Sequence, residues 1–379
     1  MRQIILAINA LLKFKAYTLI NVLGLACSLA CVLTVARYIH QENTVNQCFP
    51  EYKRICLIKT STSSGENFLG GYRSGLEKNP DVEQFTVIYQ ISDMPVLFGE
   101  QEIAANAFSV DSTFFKIFPY RVIAGSGRIV RPRDVVITRS FWMKKLGGKN
   151  AIGATFKNTK GNKFTIVGVV DDPDTKTSWT PDIFMSNELD EFLFFDPIYA
   201  MLMASDADIA LLNKKYSKEH PRSKWSTYET VRYQYLPLKD LYYDKDHGKE
   251  NKNYQYGNQS YVRVLMVGAF LVGIIGLLNF INIYTVIMSK RSREFGVKKV
   301  FGAGRTDIFL QIYAENILLT GLALLLCWAL IEITKFFFFH ELYIPTTTDP
   351  GFDRKVSAIV LLGLPLLTTV YPFLKYTCS

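Results

Sequence analysis

Four stretches of this chain are long and apolar enough to cross a bilayer, and no feature constrains the fold more. A hydrocarbon core of about 30 Å takes about 20 apolar residues in a helix. Residues 16–36 (AYTLINVLGLACSLACVLTVA) and 264–288 (VLMVGAFLVGIIGLLNFINIYTVIM) reach that length without a charge. Residues 308–339 are longer and carry Glu315, Glu332 and Lys335. Residues 356–374 are uncharged and include Pro365 and Pro372. A buried core helix is the competing explanation for each, and it is weakest for the two long uncharged blocks. The first block follows Arg2, Lys13 and Lys15, as a signal core would. Its 21 residues exceed the usual core of about 7–15, and no small-x-small site precedes a polar start. The sequences before Cys27 and Cys31, GLA and SLA, lack the aliphatic residue expected of a lipidated cysteine. The block reads as a retained anchor.

Charge sets the orientation, because cytoplasmic loops collect Lys and Arg. The N-terminal segment has Arg2, Lys13 and Lys15 and no acid. Residues 289–307 have Lys290, Arg291, Arg293, Lys298, Lys299 and Arg305 against Glu294 and Asp307. Residues 340–355 have Arg354 and Lys355 against Glu341, Asp349 and Asp353. The predicted order is therefore an amphipathic N-terminal helix (1–15), a first span (16–39), an exported domain (40–260) and a second span (261–288). A cytoplasmic elbow (289–307), a third span (308–339), an outer loop (340–355), a fourth span (356–375) and a C-terminal end (376–379) follow. Both termini lie inside.

The net charge of +9 then has a plain source. Residues 40–260 hold 28 Lys/Arg and 27 Asp/Glu, so the excess lies almost wholly outside the exported domain. It reports orientation and does not advertise nucleic-acid binding. With 49% hydrophobic residues the chain is not disordered. Six cysteines in 379 residues are too sparse for a disulfide-stapled scaffold.

Within 40–260, β-formers cluster at 54–60, 84–91, 102–110, 134–138, 163–170 and 231–236. Helical patterns fit 139–146 and 204–218. The mixture predicts an α+β domain of two lobes. Residues 61–71 (STSSGENFLGG) and 171–182 read as loops. Catalytic or metal chemistry is hard to find. His40, His220, His247 and His340 have no metal-ligand spacing. Asp171, Asp172 and Asp174 lack the glycine and final glutamate of a calcium loop and read as a solvated turn. Cys48 and Cys56 fit either a disulfide or two free thiols. Asn258-Gln259-Ser260 matches a glycosylation acceptor at the membrane edge and is taken as chance. A P-loop needs GxxxxGK[ST]; Gly147-Gly148-Lys149 has Met143 in place of the first glycine and Asn150 after the lysine. Gly302-Ala303-Gly304-Arg305-Thr306 has no preceding strand and no P-loop lysine. The chain is read as no enzyme, with no cofactor and no metal, and any ATP chemistry falls to a separate subunit.

The most informative stretch is SKRSREFGVKKVFGAGRTDIFLQIYAEN, 289–316. Phe295, Val297, Val300 and Phe301 interleave with Arg293, Lys298 and Lys299, which predicts a short amphipathic helix in the interface. Gly302 and Gly304 permit a tight turn back into the membrane. A plain positive-inside loop fits the composition equally well.

The run Arg291-Ser292-Arg293-Glu294-Phe295-Gly296-Val297-Lys298-Lys299-Val300-Phe301-Gly302-Ala303 resembles the R-x-REIG-[IV]-RKA-[LV]-GA signature of MacB/FtsX-type ABC transporter permeases. Glu315 stands where that family often has a glutamate. The resemblance extends along most of the chain, through Asn21-Val22-Leu23-Gly24-Leu25, FPEYKRICLI (49–58), VDSTFFKIF (110–118), 135–170 and LPLKDLY (236–242). Gly147 and Ala154 depart from the pattern, as do the conservative Phe295 and Lys298. The chain stops at YPFLKYTCS, where the family commonly continues, so it reads as a natural half-unit or as the first half of a fused permease.

The resemblance implies an α-helical membrane protein with four transmembrane helices and an α+β periplasmic, MacB-like domain inserted between helices 1 and 2. It implies a bacterial inner-membrane location and a dimer of permeases, identical or not, working with an ABC ATPase subunit, the lipid bilayer and periplasmic or outer-membrane partners. ATP hydrolysis would move the periplasmic domain rather than thread substrate through the spans. The ATPase-coupling residues would be Arg291, Arg293, Glu294, Phe295, Gly296, Val297, Lys298, Lys299, Val300, Phe301 and Gly302. The N-terminal helix, with Ile4, Ile5, Leu11, Leu12 and Phe14 as its apolar positions, would lie along the inner leaflet. Ala269 and Gly273, a small-xxx-small pair, and Asn279 and Asn282 are candidates for helix packing. Glu332 and Lys335 either pair on one helix face or snorkel. Two alternatives stand beside transport: an FtsX-like regulator of cell-wall hydrolases, and a membrane-anchored sensor or adhesion ectodomain with no ATPase.

Overall fold

The computed structural model describes residues 15–63, 65, 67–70, 79–148, 151–188, 197–216, 220–221, 230–244, 254–341 and 349–377. The predicted N-terminal helix, His247, much of the outer loop and the last residues of the C-terminal end lie outside them, as do the side chains of His220, Lys335 and His340. The chain divides into two compact units: residues 1–43 with 259–379, and residues 44–258.

The second unit follows helix α1 (Lys15–Asn43) and is built on strands β1 (Ile55–Thr62), β2 (Asn67–Leu69), β3 (Val82–Phe98) and β4 (Gln101–Val110). Helix α2 (Phe114–Ile117), β5 (Val122–Gly125), β6 (Asp134–Thr138), α3 (Arg139–Lys145), β7 (Thr155–Asn158) and β8 (Lys163–Val170) come next. Then come β9 (Ile183–Ser186), β10 (Ile198–Met203), α4 (Ile209–Tyr216), β11 (His220–Pro221), β12 (Thr230–Pro237) and α5 (Leu238–Leu241). Among the described residues the strands join one sheet in the order β11-β12-β1-β10-β3-β4-β9-β6-β8-β5, with β2 on β1 and β7 on β3 and β8. The long β3–β4 hairpin turns through Gly99 at φ +63°, the positive value that a two-residue primed turn needs at its first position. It bends at Asp93, where the register shifts between Ile91 and Met94.

That bend lets one sheet serve separate cores. Phe49, Phe108, Phe114, Phe118, Trp179 and Phe184 form an aromatic cluster of edge and tilted contacts. Beyond the bend, Val96, Ile137, Phe141, Phe156, Phe164 and Ile166 form the second cluster beneath α3. Thr138 caps that helix with its side chain, and Ser140 is held by Asp172.

Several sequence expectations are corrected here. The segment 61–71 is not simply a loop: β1 runs to Thr62, and Phe68 pairs back onto Thr60 as part of β2. The Thr60 hydroxyl donates to the Gly70 carbonyl, and Gly70 at φ +97° packs so close to the Pro197 carbonyl that a methyl group would collide. The aspartates of 171–174 are not merely solvated. Asp171 pairs with Arg121 and Arg139, and Asp172 accepts from Ser140 N at 2.9 Å and Oγ at 2.7 Å. Helix α4 starts at Ile209 rather than 204, because Asp208 accepts from the Leu211 amide at 3.1 Å and so marks its start. Cys48 and Cys56 are free thiols.

The first unit holds α1, α6 (Gln259–Lys290), α7 (Ser292–Val300), α8 (Arg305–Glu341) and α9 (Pro350–Thr377). Four of these are long and apolar enough to cross a membrane: α1, α6, α8 and α9. α1 packs along α6 and α8, and α9 along α8. Small groups set the α1–α6 approach. A methyl group at Gly276 would collide with Ser28, one at Gly273 would touch Val32 at 3.4 Å, and Asn279 Nδ2 lies over Gly24. Ala269 is half-buried and Asn282 exposed. At the other end of α1, Arg37 makes a bidentate pair with Asp353 of α9, at 2.8 and 2.5 Å, beneath the Trp328 ring of α8. His40 stacks on Phe352 and lies 3.1 Å from Asp349.

Candidate functional site: the elbow between α6 and α8

The elbow is built from the end of one span and the start of the next. α6 runs to Lys290, whose ammonium sits 4.3 Å above the Tyr17 ring of α1. Arg291 breaks the helix, and nine residues of α7 follow. Gly302, at φ +87°, supplies the left-handed turn that a side chain would strain. α8 then starts with the Asp307 carboxylate accepting from the Gly304 amide at 3.0 Å.

A connected ionic network fixes this turn to the bundle. Glu315 of α8 is fully buried. It accepts from Arg291 Nη1 at 2.7 Å and Nη2 at 3.1 Å, from Gln311 Nε2 at 3.0 Å and from the Tyr284 hydroxyl at 3.2 Å. Arg291 also donates from Nε to Glu294 at 3.1 Å. Lys298 closes the circuit by donating to Glu294 at 2.7 Å and to Gln311 at 2.9 Å. Three helices therefore meet through one network of charged and polar groups: α6 by Tyr284, α7 by Glu294 and Lys298, and α8 by Gln311 and Glu315. Burial works against the ionised Glu294, but hydrogen bonds from Arg291 and Lys298 outweigh it and draw its carboxyl down to about 2. Burial likewise works against charged Arg291, and Glu315 and Glu294 together hold its guanidinium above the ordinary range.

The eleven predicted coupling residues fall on two sides of α7. Arg291 and Phe295 are buried, with the Arg291 guanidinium 5.4 Å from the Phe295 ring. Lys298 is half-buried, and Glu294 bridges the two sides. Arg293, Gly296, Val297, Lys299, Val300, Phe301 and Gly302 are exposed, Val300 and Phe301 at 86% each. The predicted single apolar face is thus corrected: Phe295 packs inward while Val297 points outward, since two residues turn a helix by about 200°. What remains outside is a small apolar tip flanked by Arg293 and Lys299. The partners of Arg291 were not foreseen as partners. Their signal was an ionisable Glu315 in an otherwise apolar span, which asks for a counter-charge on a neighbouring element.

Comparisons with known proteins agree with this architecture. Residues 18–215 match the family model described as the MacB-like periplasmic core domain, and 266–377 match the FtsX-like permease C-terminal model. The macrolide export ATP-binding/permease protein MacB of Pasteurella multocida (strain Pm70) is 22% identical over 351 residues, covering 82% of this chain and 49% of that protein. The chain thus spans about half the length of that relative. An ABC transporter permease of Bacillus subtilis (strain 168), YvrN, is 21% identical over 349 residues, covering 85% of this chain and 84% of the relative. The crystal structure of the periplasmic region of MacB from Actinobacillus actinomycetemcomitans aligns with a TM-score of 0.35 at 15% identity, covering 45% of this chain and 83% of that one. With four apolar helices, an inserted α+β domain and family models over both parts, this chain belongs to the MacB/FtsX family of ABC transporter permeases.

Proposed function

We propose that the chain is the permease subunit of an ABC transporter in which a separate ATPase subunit hydrolyses ATP and the permease passes the resulting motion to its α+β domain. Residues 44–258 face the periplasm, both termini and α7 face the cytoplasm, and the substrate is a periplasmic or membrane-held molecule. The protein works as a dimer. Orientation rests on the basic excess of 289–307.

The observation that carries this reading is the two-sided elbow. One side offers Val297, Val300 and Phe301 with Arg293 and Lys299 to a partner. The other is bonded into α6 and α8 through Arg291 and Glu315. A push on the exposed side cannot be absorbed by α7 alone, because shifting α7 separates buried charges. Removing one partner of a buried pair typically costs about 3–5 kcal/mol.

The test is co-purification of the ABC ATPase subunit with the full chain. Val297→Asp, Val300→Asp and Phe301→Asp, combined, should abolish capture while the permease still inserts and folds, since all three side chains are exposed. Undiminished capture by the folded triple variant would remove the elbow as the docking site.

A further inference from the structure

Two spans are joined to the α+β unit by short tethers. Thr44 and Val45 alone separate the end of α1 from Asn46, and Asn258 alone separates Gly257 from the start of α6. Asn46 is fully buried and holds φ at +66°, a left-handed value that asparagine tolerates better than most residues. Its backbone N–H donates to the Lys176 carbonyl at 2.8 Å. Its side chain accepts from the Ser178 backbone N–H at 2.8 Å. Its Nδ2 donates to Ser178 Oγ at 2.7 Å and to the Leu238 carbonyl at 3.0 Å. Only a group that both accepts and donates can do this; a carboxylate of the same shape could not donate to Leu238.

The chain leaving the domain is fixed to the same loop. The Gln255 N–H donates to the Ser178 carbonyl at 2.8 Å, and Trp179 bridges to Tyr254. Lys176 Nζ donates to the Tyr242 hydroxyl at 2.6 Å and lies 4.8 Å from the centre of that ring. The Gly257 N–H donates to the Tyr242 carbonyl at 2.8 Å, and a methyl group at Gly257 would collide with the Tyr242 and Tyr243 rings. Residues 176–179 thus bracket the incoming and the outgoing chain together. Length shows why this matters. Residues 243–258, sixteen in all, could extend to about 50 Å as free chain and so absorb a pull from α6. Pinned at Gln255 and Gly257, they leave one residue before the helix.

We propose that Asn46 is a positioning residue for coupling. It locks the two tethers into one clamp, so that movement of α1 and α6 turns the whole sheet instead of stretching a linker. One side chain joins the entering chain to the bracket at Ser178 and to Leu238, where the leaving chain begins. Without it the Ser178 N–H and the Leu238 carbonyl stay buried and lose that partner, which favours local opening of the clamp. The inference rests on the coupling proposed above. It adds the residues that receive the motion to those of the elbow that take it up.

The test uses the full chain assembled with its ATPase, a spin label at exposed position 100 of each copy, and hydrogen exchange on the same samples. Asn46→Gly keeps the positive φ and removes the side chain. Its Ser178, Gln255 and Gly257 amides should exchange about tenfold faster than in the wild type, while those of β4 stay protected. The change in label distance between nucleotide-free and ATP-trapped states should be lost, although the ATPase stays bound and hydrolyses ATP. Ser178→Ala removes a buried bond but leaves Asn46 joined to the residue-178 N–H and to Leu238, so it should keep the change. A residue that only stabilised the fold would not separate these two variants. Lys176→Met removes the tie to Tyr242 and should shrink the change, which decides the matter if Asn46→Gly does not fold. Unaltered exchange or a full distance change in Asn46→Gly, a full change in Lys176→Met, or equal loss in Asn46→Gly and Ser178→Ala would each overturn the proposal. A wild type that captures the ATPase and shows no distance change would overturn the coupling itself and this clamp with it. A wild-type change that the variants keep would overturn the clamp alone.

Discussion

Arg291 and Glu315 stand 24 residues apart in sequence and 2.7 Å apart in space, at a buried place where neither charge is tolerable alone. Replacing Glu315 by Gln keeps the shape and leaves Arg291 with only the partly exposed Glu294. The expected outcome is a loss of about 3–5 kcal/mol in elbow docking, read as increased protease cleavage within 292–300. A variant with unchanged cleavage would show that α7 is held by Phe295 packing alone. Glu294 makes a pH-dependent contribution with a definite sign. Its carboxyl lies near 2 instead of the ordinary 4.5, so its contribution is complete above about 4.5 and lost as pH falls towards 2. Wild type and Glu294→Gln should therefore differ in unfolding midpoint at neutral pH and converge across that window.

At the scale of elements, the α1–α6 seam depends on residues that have almost no side chain. Gly276 lies directly against Ser28, so Gly276→Val should destabilise the membrane unit by about 1–3 kcal/mol by overpacking. Gly268→Val, which meets open space on the same helix, should be close to neutral. Thermal unfolding in detergent would measure both. Much of this level could be read in advance, because apolar length defines spans and alternation defines half-buried strands. Residues 134–138 and 163–170 announced β6 and β8 at their observed limits. β9 and β10 gave no such signal, since every residue in them is buried and a strand covered on both faces has no alternation. Asn67–Leu69 was hidden among Ser and Gly because a three-residue strand on the β1 edge is specified by its neighbour. The elbow was legible only through its resemblance to a family signature, since spacing alone left a plain positive-inside loop open, whereas the Arg291–Glu315 contact belongs to tertiary structure. The closest seam contact, at Gly276, lies three residues beyond the Ala269–Gly273 pair that spacing singled out, because the register of α1 against α6 decides which small residue meets Ser28.

For the whole molecule, the positive charge lies mostly outside 40–260 and concentrates at the elbow. That arrangement suits a fixed orientation and, on the function proposed above, a grip for the ATPase. The central claim is that nucleotide chemistry outside the chain moves the α+β domain through the elbow. Spin labels at position 100, on the exposed tip of the β3–β4 hairpin, would report this in the assembled complex as the distance between the two copies. The account predicts that this distance changes between nucleotide-free and ATP-trapped states in the wild type, and stays fixed in Glu315→Gln even when the ATPase remains bound. An unchanged distance in the wild type, or a full change in Glu315→Gln, would contradict it.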